Sequence, residues 1–397
     1  MLDFTSALYL GMHHESGCLE PWSQFTTGRP AALSEPAEAR AIARALADLQ
    51  GTEAAVLAAS TFHLAWDLFL FLAKKDRVEV CMDAGTYPIA RWGIERASCH
   101  GVPVQRFAHH STEQLEQSVQ LARRHGRRPL IVTDGFCPGC GCPAPLRQYL
   151  ACAERYEGWL VLDDTQALGV LGAEPDQAMA YGYQGGGSLR HCNLQSPRAL
   201  VFSSLAKGFG VPVAVLAGHH ATVGGFERAS STRLHCSPPS IATLRAARHA
   251  LALNRRCGNA LRRRVLNRVH LFQAALRRIG LAATPGLFPV QTLQTDSTID
   301  PIRLHEKLLE WNIRTVLQRR HGGSGARVTF LLTADHSPED IEHVTAAIQT
   351  AVHGTECQPD AEPWADGFPP CRRTGRKSAR NPFQPAKHTD KALGTAT

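Results

Sequence analysis

The chain has 397 residues, a formal net charge of +8, and 44% hydrophobic against 20% charged residues. That length can bury a large core and suits two packed units plus edges, and the balance is that of a soluble globular enzyme rather than a disordered or fibrous chain. The positive charge is diffuse, and its densest run, Arg262-Arg263-Arg264, falls inside a helical pattern with no aromatic interleaving. No nucleic-acid partner is expected, and the charge would instead favour anionic substrates such as phosphorylated thioesters.

The N-terminus, Met1-Leu2-Asp3-Phe4, has neither the basic nor the apolar region of a secretory signal. The longest apolar run, Leu68 to Leu72, is too short to span a bilayer, so no membrane is expected. Twelve cysteines without a framework spacing read as reduced thiols, which places the chain in the cytoplasm.

In chain order, residues 1–37 carry Gly, Pro and small polar residues and read as an extended N-terminal arm. Ala39, Ile42, Ala43 and Leu46 set the first helix, over 35–49. Ala54 to Ala58 is a strand, and Ser60-Thr61 then opens an apolar helix through Leu72. A hydroxyl there serves either as a plain cap or as part of an anion site on the helix N-terminus.

Strands over 78–82, 104–107 and 129–133 alternate with helices over 86–98, 112–124 and 146–156. That alternation predicts βαβ units and a mainly parallel sheet. The strand Leu160-Val161-Leu162 runs into Asp163-Asp164-Thr165-Gln166, and the strand Leu200-Val201-Phe202 leads to Lys207. Charges closing buried strands are costly unless used, and the ends of parallel strands are where ligands bind. Pyridoxal phosphate (PLP) is a cofactor that asks for this pair, a lysine amine and an acid at its ring nitrogen. A surface lysine and a structural acid are the plain alternative.

Gly185-Gly186-Gly187 follows no strand and reads as a flexible turn. A strand over 213–218 is followed by a long helix from Ser240 to Ile279, with Leu261, Val265, Val269, Phe272 and Leu276 as its apolar stripe and its arginines on the solvated face. Strands over 289–293 and 328–332 and a helix from Pro338 to Val352 complete a smaller unit. The expected division is an arm over 1–37, a large PLP-binding domain over 38–250, a small C-terminal domain over 251–354 and a disordered tail over 355–397.

Five motifs now resemble, in collinear order, the α-oxoamine synthase family of fold-type I PLP-dependent enzymes. They are Phe4 to Gly11, Thr133-Asp134-Gly135 with Ala144-Pro145-Leu146, Asp163 to Gly172, Ser204 to Gly210, and Leu332 to His336. The resemblance implies an α/β fold with a large, mainly parallel sheet between helices and a smaller C-terminal α+β domain. It implies Lys207 as the lysine that forms an internal aldimine with PLP and Asp163 as the acid facing the pyridine nitrogen. Ser204 falls at the phosphate-binding threonine, and Ser60, Thr61 and Phe62 fall in the loop whose amides hold the same phosphate. His235 falls where the family sends a hydroxyl across a homodimer interface.

The departures concern the surroundings of the cofactor. Gln166 replaces a histidine at the phenolic oxygen and keeps only hydrogen bonding. The ring-stacking histidine falls at Ala84, with Tyr87 nearby as a substitute face. Pro138 replaces a serine in Phe136-Cys137-Pro138-Gly139-Cys140-Gly141-Cys142-Pro143. Those three thiols resemble part of a metal or redox cluster, but no fourth ligand is evident, so no metal is assigned. Thr329 falls at the carboxylate-binding arginine, and Arg327 points to the same face two positions earlier.

The leading expectation is an acyltransferase that condenses an amino acid with an acyl thioester and loses carbon dioxide, the thioester carried by coenzyme A or a carrier protein. An aminotransferase or other PLP carbanion chemistry is the alternative. A regulatory subunit that lost its site is a third reading, which retention of Lys207 and Asp163 opposes.

Overall fold

The computed structural model describes residues 1–284, 286–294, 299–319 and 325–353. The expected tail over 355–397 lies outside them. The first 355 residues cluster as one compact unit.

Seven strands form the main sheet: β1 (Ala54–Ala58), β2 (Val78–Asp83), β3 (Val104–Phe107), β4 (Arg128–Asp134), β5 (Trp159–Asp163), β6 (Ala199–Ser204) and β7 (Ala214–Gly218). They lie in the order β1-β7-β6-β5-β4-β2-β3. All neighbours are parallel except β7, which runs antiparallel to both β1 and β6.

Helices, the first of them α1 (Ala37–Gln50), cover both faces of this sheet, which is why β5 is apolar at every position up to its terminal acid. On one face α2 (Thr61–Lys75) and α3 (Pro88–Cys99) pack Leu68, Phe69 and Ile94 against Val80, Val132 and Val161. On the other, α4 (Thr112–Arg124) and α5 (Leu146–Arg155) pack Leu115, Val119 and Leu150 against Ile131, Leu160 and Leu162. Successive residues of β5 thus feed opposite layers, as the pleat requires. Each fully buried leucine or valine contributes roughly 1.5–3 kcal/mol.

The long helix α6 (Ile241–Arg278) has 38 residues, and Ser240 caps it by accepting from the Thr243 amide. Val265, Val269, Phe272 and Leu276 are buried as the spacing predicts. Arg262 is not on the solvated face: it is fully buried and has no carboxylate partner among the described residues. Its guanidinium donates to the Gly169 carbonyl at 2.8 Å and to the side chains of Asn254 and Asn259. The helix crosses the turn after β5, and that turn's carbonyl needs a donor the local backbone does not supply.

A second sheet is antiparallel throughout: β8 (Ala282–Ala283), β9 (Val290–Gln294), β10 (Val316–Arg319) and β11 (Ala326–Leu331) in the order β8-β9-β11-β10. Phe272, Phe330, Ile341 and Ile348 fill the layer between this sheet and the C-terminal helix Pro338–His353.

The N-terminal segment is drawn into the core. Phe4, Tyr9, Leu10 and Met12 are buried, and the Leu331 and Ala334 amides donate to the carbonyls of Phe4 and Tyr9. His336 stacks on Phe4 with ring centroids 4.3 Å apart, and its Nε2 meets the Asp3 carbonyl.

Gly185-Gly186-Gly187 is likewise buried rather than a flexible turn. A Cβ at these glycines would overlap, respectively, the Gly169 carbonyl, the Leu49 carbonyl and the Asp164 carboxylate. Gly187 sits at φ 90°, ψ −172°, a region essentially reserved for glycine. The triplet lets the backbone close over the strand end that carries Asp164.

Candidate active site

Two carboxylates lie side by side where the parallel strands end. Asp134 closes β4, Asp163 closes β5, and the two are register partners. Lys207 follows β6 by three residues and faces them across a cleft also lined by Thr61, Tyr87, Pro138, Thr165, Gln166 and Ser204. The position is the carboxyl end of an open α/β sheet, where crossovers leave a crevice.

The electrostatics of the three charged groups are mutual. Burial pushes the Lys207 ammonium below its usual range, while Asp163 and Asp134 hold it up. Burial raises Asp163, against a hydrogen bond from the Thr165 amide at 3.0 Å and the charge of Lys207. Burial also raises Asp134 well above the carboxylate range, and the neighbouring Asp163 charge adds to it. The site can therefore hold a protonated carboxyl beside a carboxylate, and an amine whose proton is easily lost.

The surrounding polar groups are fixed by named partners. The Thr165 hydroxyl accepts from the Ser204 amide at 3.0 Å, joining the ends of β5 and β6. The Gln166 carbonyl accepts from the buried Tyr9 hydroxyl at 2.6 Å, so the N-terminal segment orients a wall of the cleft. Asp164 accepts from the Ser188 amide and hydroxyl at 2.7 and 2.5 Å and points away from the cleft.

Ser60 precedes α2 but does not cap it; its hydroxyl pairs with His63 Nδ1 at 2.8 Å. The first-turn amides at Thr61 and Phe62 lack intrahelical partners, as at any helix start, and could hold an anion. Tyr87 stands before α3 rather than inside it, half exposed on the cleft wall, because Pro88 sets the first helical turn.

Other expected residues lie apart. Thr329 is fully buried, hydrogen-bonded to Thr292 at 2.9 Å, and does not line the cleft. Arg327 does not line it either; its guanidinium meets the Gly139 carbonyl, one residue beyond the wall residue Pro138. His235 is exposed at the end of the short helix Ser231–His235. Phe62 is exposed beside Trp66 and Trp92, with centroids 5.5 and 6.3 Å away.

Asp134 was visible in sequence only as part of a motif. Its place in the cleft follows from the register of β4 on β5, which no local signal carries.

Comparisons with known proteins place the chain among relatives. An 8-amino-7-oxononanoate synthase of Thioalkalivibrio sulfidiphilus is 27% identical over 66% of this chain. One from Dechloromonas aromatica is 30% identical over 64% of it. The matched stretches span 65% and 64% of those two relatives, somewhat less than two thirds of their length. A serine palmitoyltransferase structure from S. paucimobilis, with a bound PLP–myriocin aldimine, superposes with a TM-score of 0.77. That likeness covers 89% of this chain and 87% of the other at 16% identity, and it shows a shared fold, that of the fold-type I PLP enzymes. The aminotransferase class I and II profile matches residues 15–348, and the chain belongs to that family.

Proposed function

We propose that the cleft holds PLP and that the chain is a PLP-dependent acyltransferase of the α-oxoamine synthase type. It would condense an amino acid with an acyl thioester, carried by coenzyme A or a carrier protein, with loss of carbon dioxide. The observation that carries the reading is Lys207, a half-buried amine facing two strand-end carboxylates. The names of the relatives support the same reaction class.

The residues present fit the cofactor. Ser204, Thr61 and the first-turn amides at Thr61 and Phe62 form a polar corner for its phosphate. Asp163 offers a carboxylate to a ring nitrogen, and Gln166 offers an amide N–H to the phenolic oxygen while Tyr9 occupies its carbonyl. Tyr87 offers an aromatic face from the cleft wall. When bound, PLP withdraws electrons from the α-carbon of the amino substrate.

The chain's own groups then manage protons and position. Burial leaves the Lys207 amine ready to lose its proton, so it can take the substrate α-proton as a general base. Thr165 holds the Asp163 carboxylate in place, and a carboxylate there keeps the ring nitrogen protonated. Asp134 supplies a second carboxyl that can remain neutral near the substrate. Arg327 does not line the cleft; it donates to the Gly139 carbonyl in the loop that carries Pro138, and would act on a substrate carboxylate only through that loop. Buried Thr329 would act only by packing beneath Arg327.

The exposed aromatic group of Phe62, Trp66 and Trp92 supports a homodimer that covers the cleft. His235 would then face the partner's site.

The test is the visible absorbance of the purified protein with added PLP. A band that appears in the native chain and vanishes in Lys207→Ala is expected; no band in either sinks the proposal. Release of free thiol and carbon dioxide that depends on the thioester separates acyl transfer from amino transfer to a keto acid.

A further inference from the structure

We propose that the chain binds one soft divalent cation of the zinc class beside the cleft, held by Cys137, Cys140, His109 and His110. The sequence shows two of these as Cys137-Pro138-Gly139-Cys140, a spacing that brings two sulfurs to one point. The third thiol, Cys142 just beyond that stretch, turns onto the Cys140 carbonyl at 3.7 Å instead. Folding supplies two further ligands, from the loop after β3, because β3 and the hairpin of Phe136–Cys137 with Cys142–Pro143 lie at the same end of the sheet.

The donor atoms converge. Ring nitrogens of His109 and His110 and the Cys140 sulfur all lie within 4.8 Å of one another. His109 Nε2 is 3.3 Å from Cys140 Sγ. Neighbouring sulfur and nitrogen ligands of a tetrahedral zinc ion stand about 3.6 Å apart. Cys137 stands beside this cluster, three residues before Cys140, whose Sγ lies 3.9 Å from the Cys137 carbonyl; its own sulfur is outside the set that lies within 4.8 Å. Turned onto the same point, Cys137 would complete a set of two thiolates and two imidazoles that favours zinc over magnesium or calcium.

The outer shell is also built. Asp83 closes β2, is fully buried, and receives His109 Nδ1 at 2.7 Å. It also accepts from the His110 amide at 3.0 Å, the Gly85 amide at 2.7 Å and the Tyr149 hydroxyl at 3.3 Å. One carboxylate therefore fixes the ring of one histidine and the backbone of the other. A carboxylate on the far nitrogen sets the tautomer in which Nε2 carries the lone pair that ligates. Gly85 makes room for this arrangement, since a Cβ there would overlap the His109 ring.

On binding, the two thiols ligate as thiolates and their protons pass to solvent, while the imidazoles bind neutral. No electron is transferred. The ion would tie the loop after β3 to the hairpin that carries Pro138 on the cleft wall and Gly139 against Arg327. Its role would be to hold that wall, not to react.

The experiment is elemental analysis of the full chain purified without chelator, with Co(II) exchanged for the native ion as a spectroscopic probe. One zinc per chain and an intense near-ultraviolet sulfur-to-cobalt band are expected. Both should be lost in Cys140→Ser and in His109→Asn, and both kept in Cys142→Ser, whose sulfur lies outside the set. The cobalt spectrum of the unsubstituted protein reads thiolate ligation directly, so a variant that fails to fold does not decide the matter. A chain without metal and without the cobalt band overturns the proposal. So does metal retained in both ligand variants, or a Cys137–Cys140 disulfide in place of the ion.

Discussion

Asp164 offers a sharp thermodynamic test, because it is buried beside the cleft without lining it. Burial pushes its carboxyl up from 3.8 to about 7, against the two hydrogen bonds from Ser188. In the unfolded chain the group loses its proton near 3.8. An acid that keeps its proton longer when folded stabilises the fold below that value, and the advantage is lost as pH rises through about 7. The interval from 3.8 to about 7, at about 1.4 kcal/mol per pH unit, amounts to about 4 kcal/mol.

Asp164→Asn removes the titration and keeps the contacts. The amide carbonyl can accept from the Ser188 N–H, and the amide N–H can donate to a rotated Ser188 hydroxyl. At pH 5 the substitution should stabilise by about 1.6 kcal/mol, the part of that interval already crossed above 3.8; at pH 8 it should stabilise by up to about 4 kcal/mol. With an unfolding entropy of about 2.1 cal/mol/K per residue over 355 residues, that is about 5 °C in melting temperature. Differential scanning calorimetry of the native chain and the variant at both pH values makes the measurement. An identical difference at pH 5 and pH 8 would refute the reasoning.

Further outcomes follow from other contacts. Phe272→Ala empties a fully buried site in the core of the second sheet and should cost about 3–5 kcal/mol in urea unfolding; under 1 kcal/mol would mean that layer collapses freely. Tyr9→Phe removes the donor on the Gln166 carbonyl and costs about 1 kcal/mol. If Gln166 holds PLP, its affinity should drop about fivefold by equilibrium dialysis, and an unchanged affinity removes Gln166 from the site. Gly187→Ala forces a side chain into a glycine-only conformation and onto Asp164, at a cost of roughly 1–3 kcal/mol in strain alone. A variant that melts with the native chain would show that the backbone can move aside.

What could be read from the sequence was whatever is written locally. The apolar runs before Asp163 and Lys207 mark buried strands, and a charge at the end of each marks a possible site, because such charges are rarely structural. The structure brings both into one cleft. Asp134 needed the parallel register, and His109 and His110 needed the sheet to bring two distant loops together. Arg262 looked solvent-facing because a charge in a helix usually is; its partner is a carbonyl of a turn about ninety residues away, and a carbonyl leaves no mark in sequence. The glycine triplet looked loose because flexibility and close approach use the same residue.

The seating of the first dozen residues has a consequence for the order in which the molecule is completed. Phe4 and Tyr9 dock against Leu331, Ala334 and His336, residues made more than three hundred positions later. The large sheet needs nothing beyond Gly218 to pair its strands. On the ribosome, the segment that carries Phe4 and Tyr9 must therefore wait undocked until residues 331–336 have been made. Tyr9, and through it the Gln166 wall, is set in that late step. That wall of the cleft is thus set by a segment made long before its dock, a latch that cannot engage until residues 331–336 are in place.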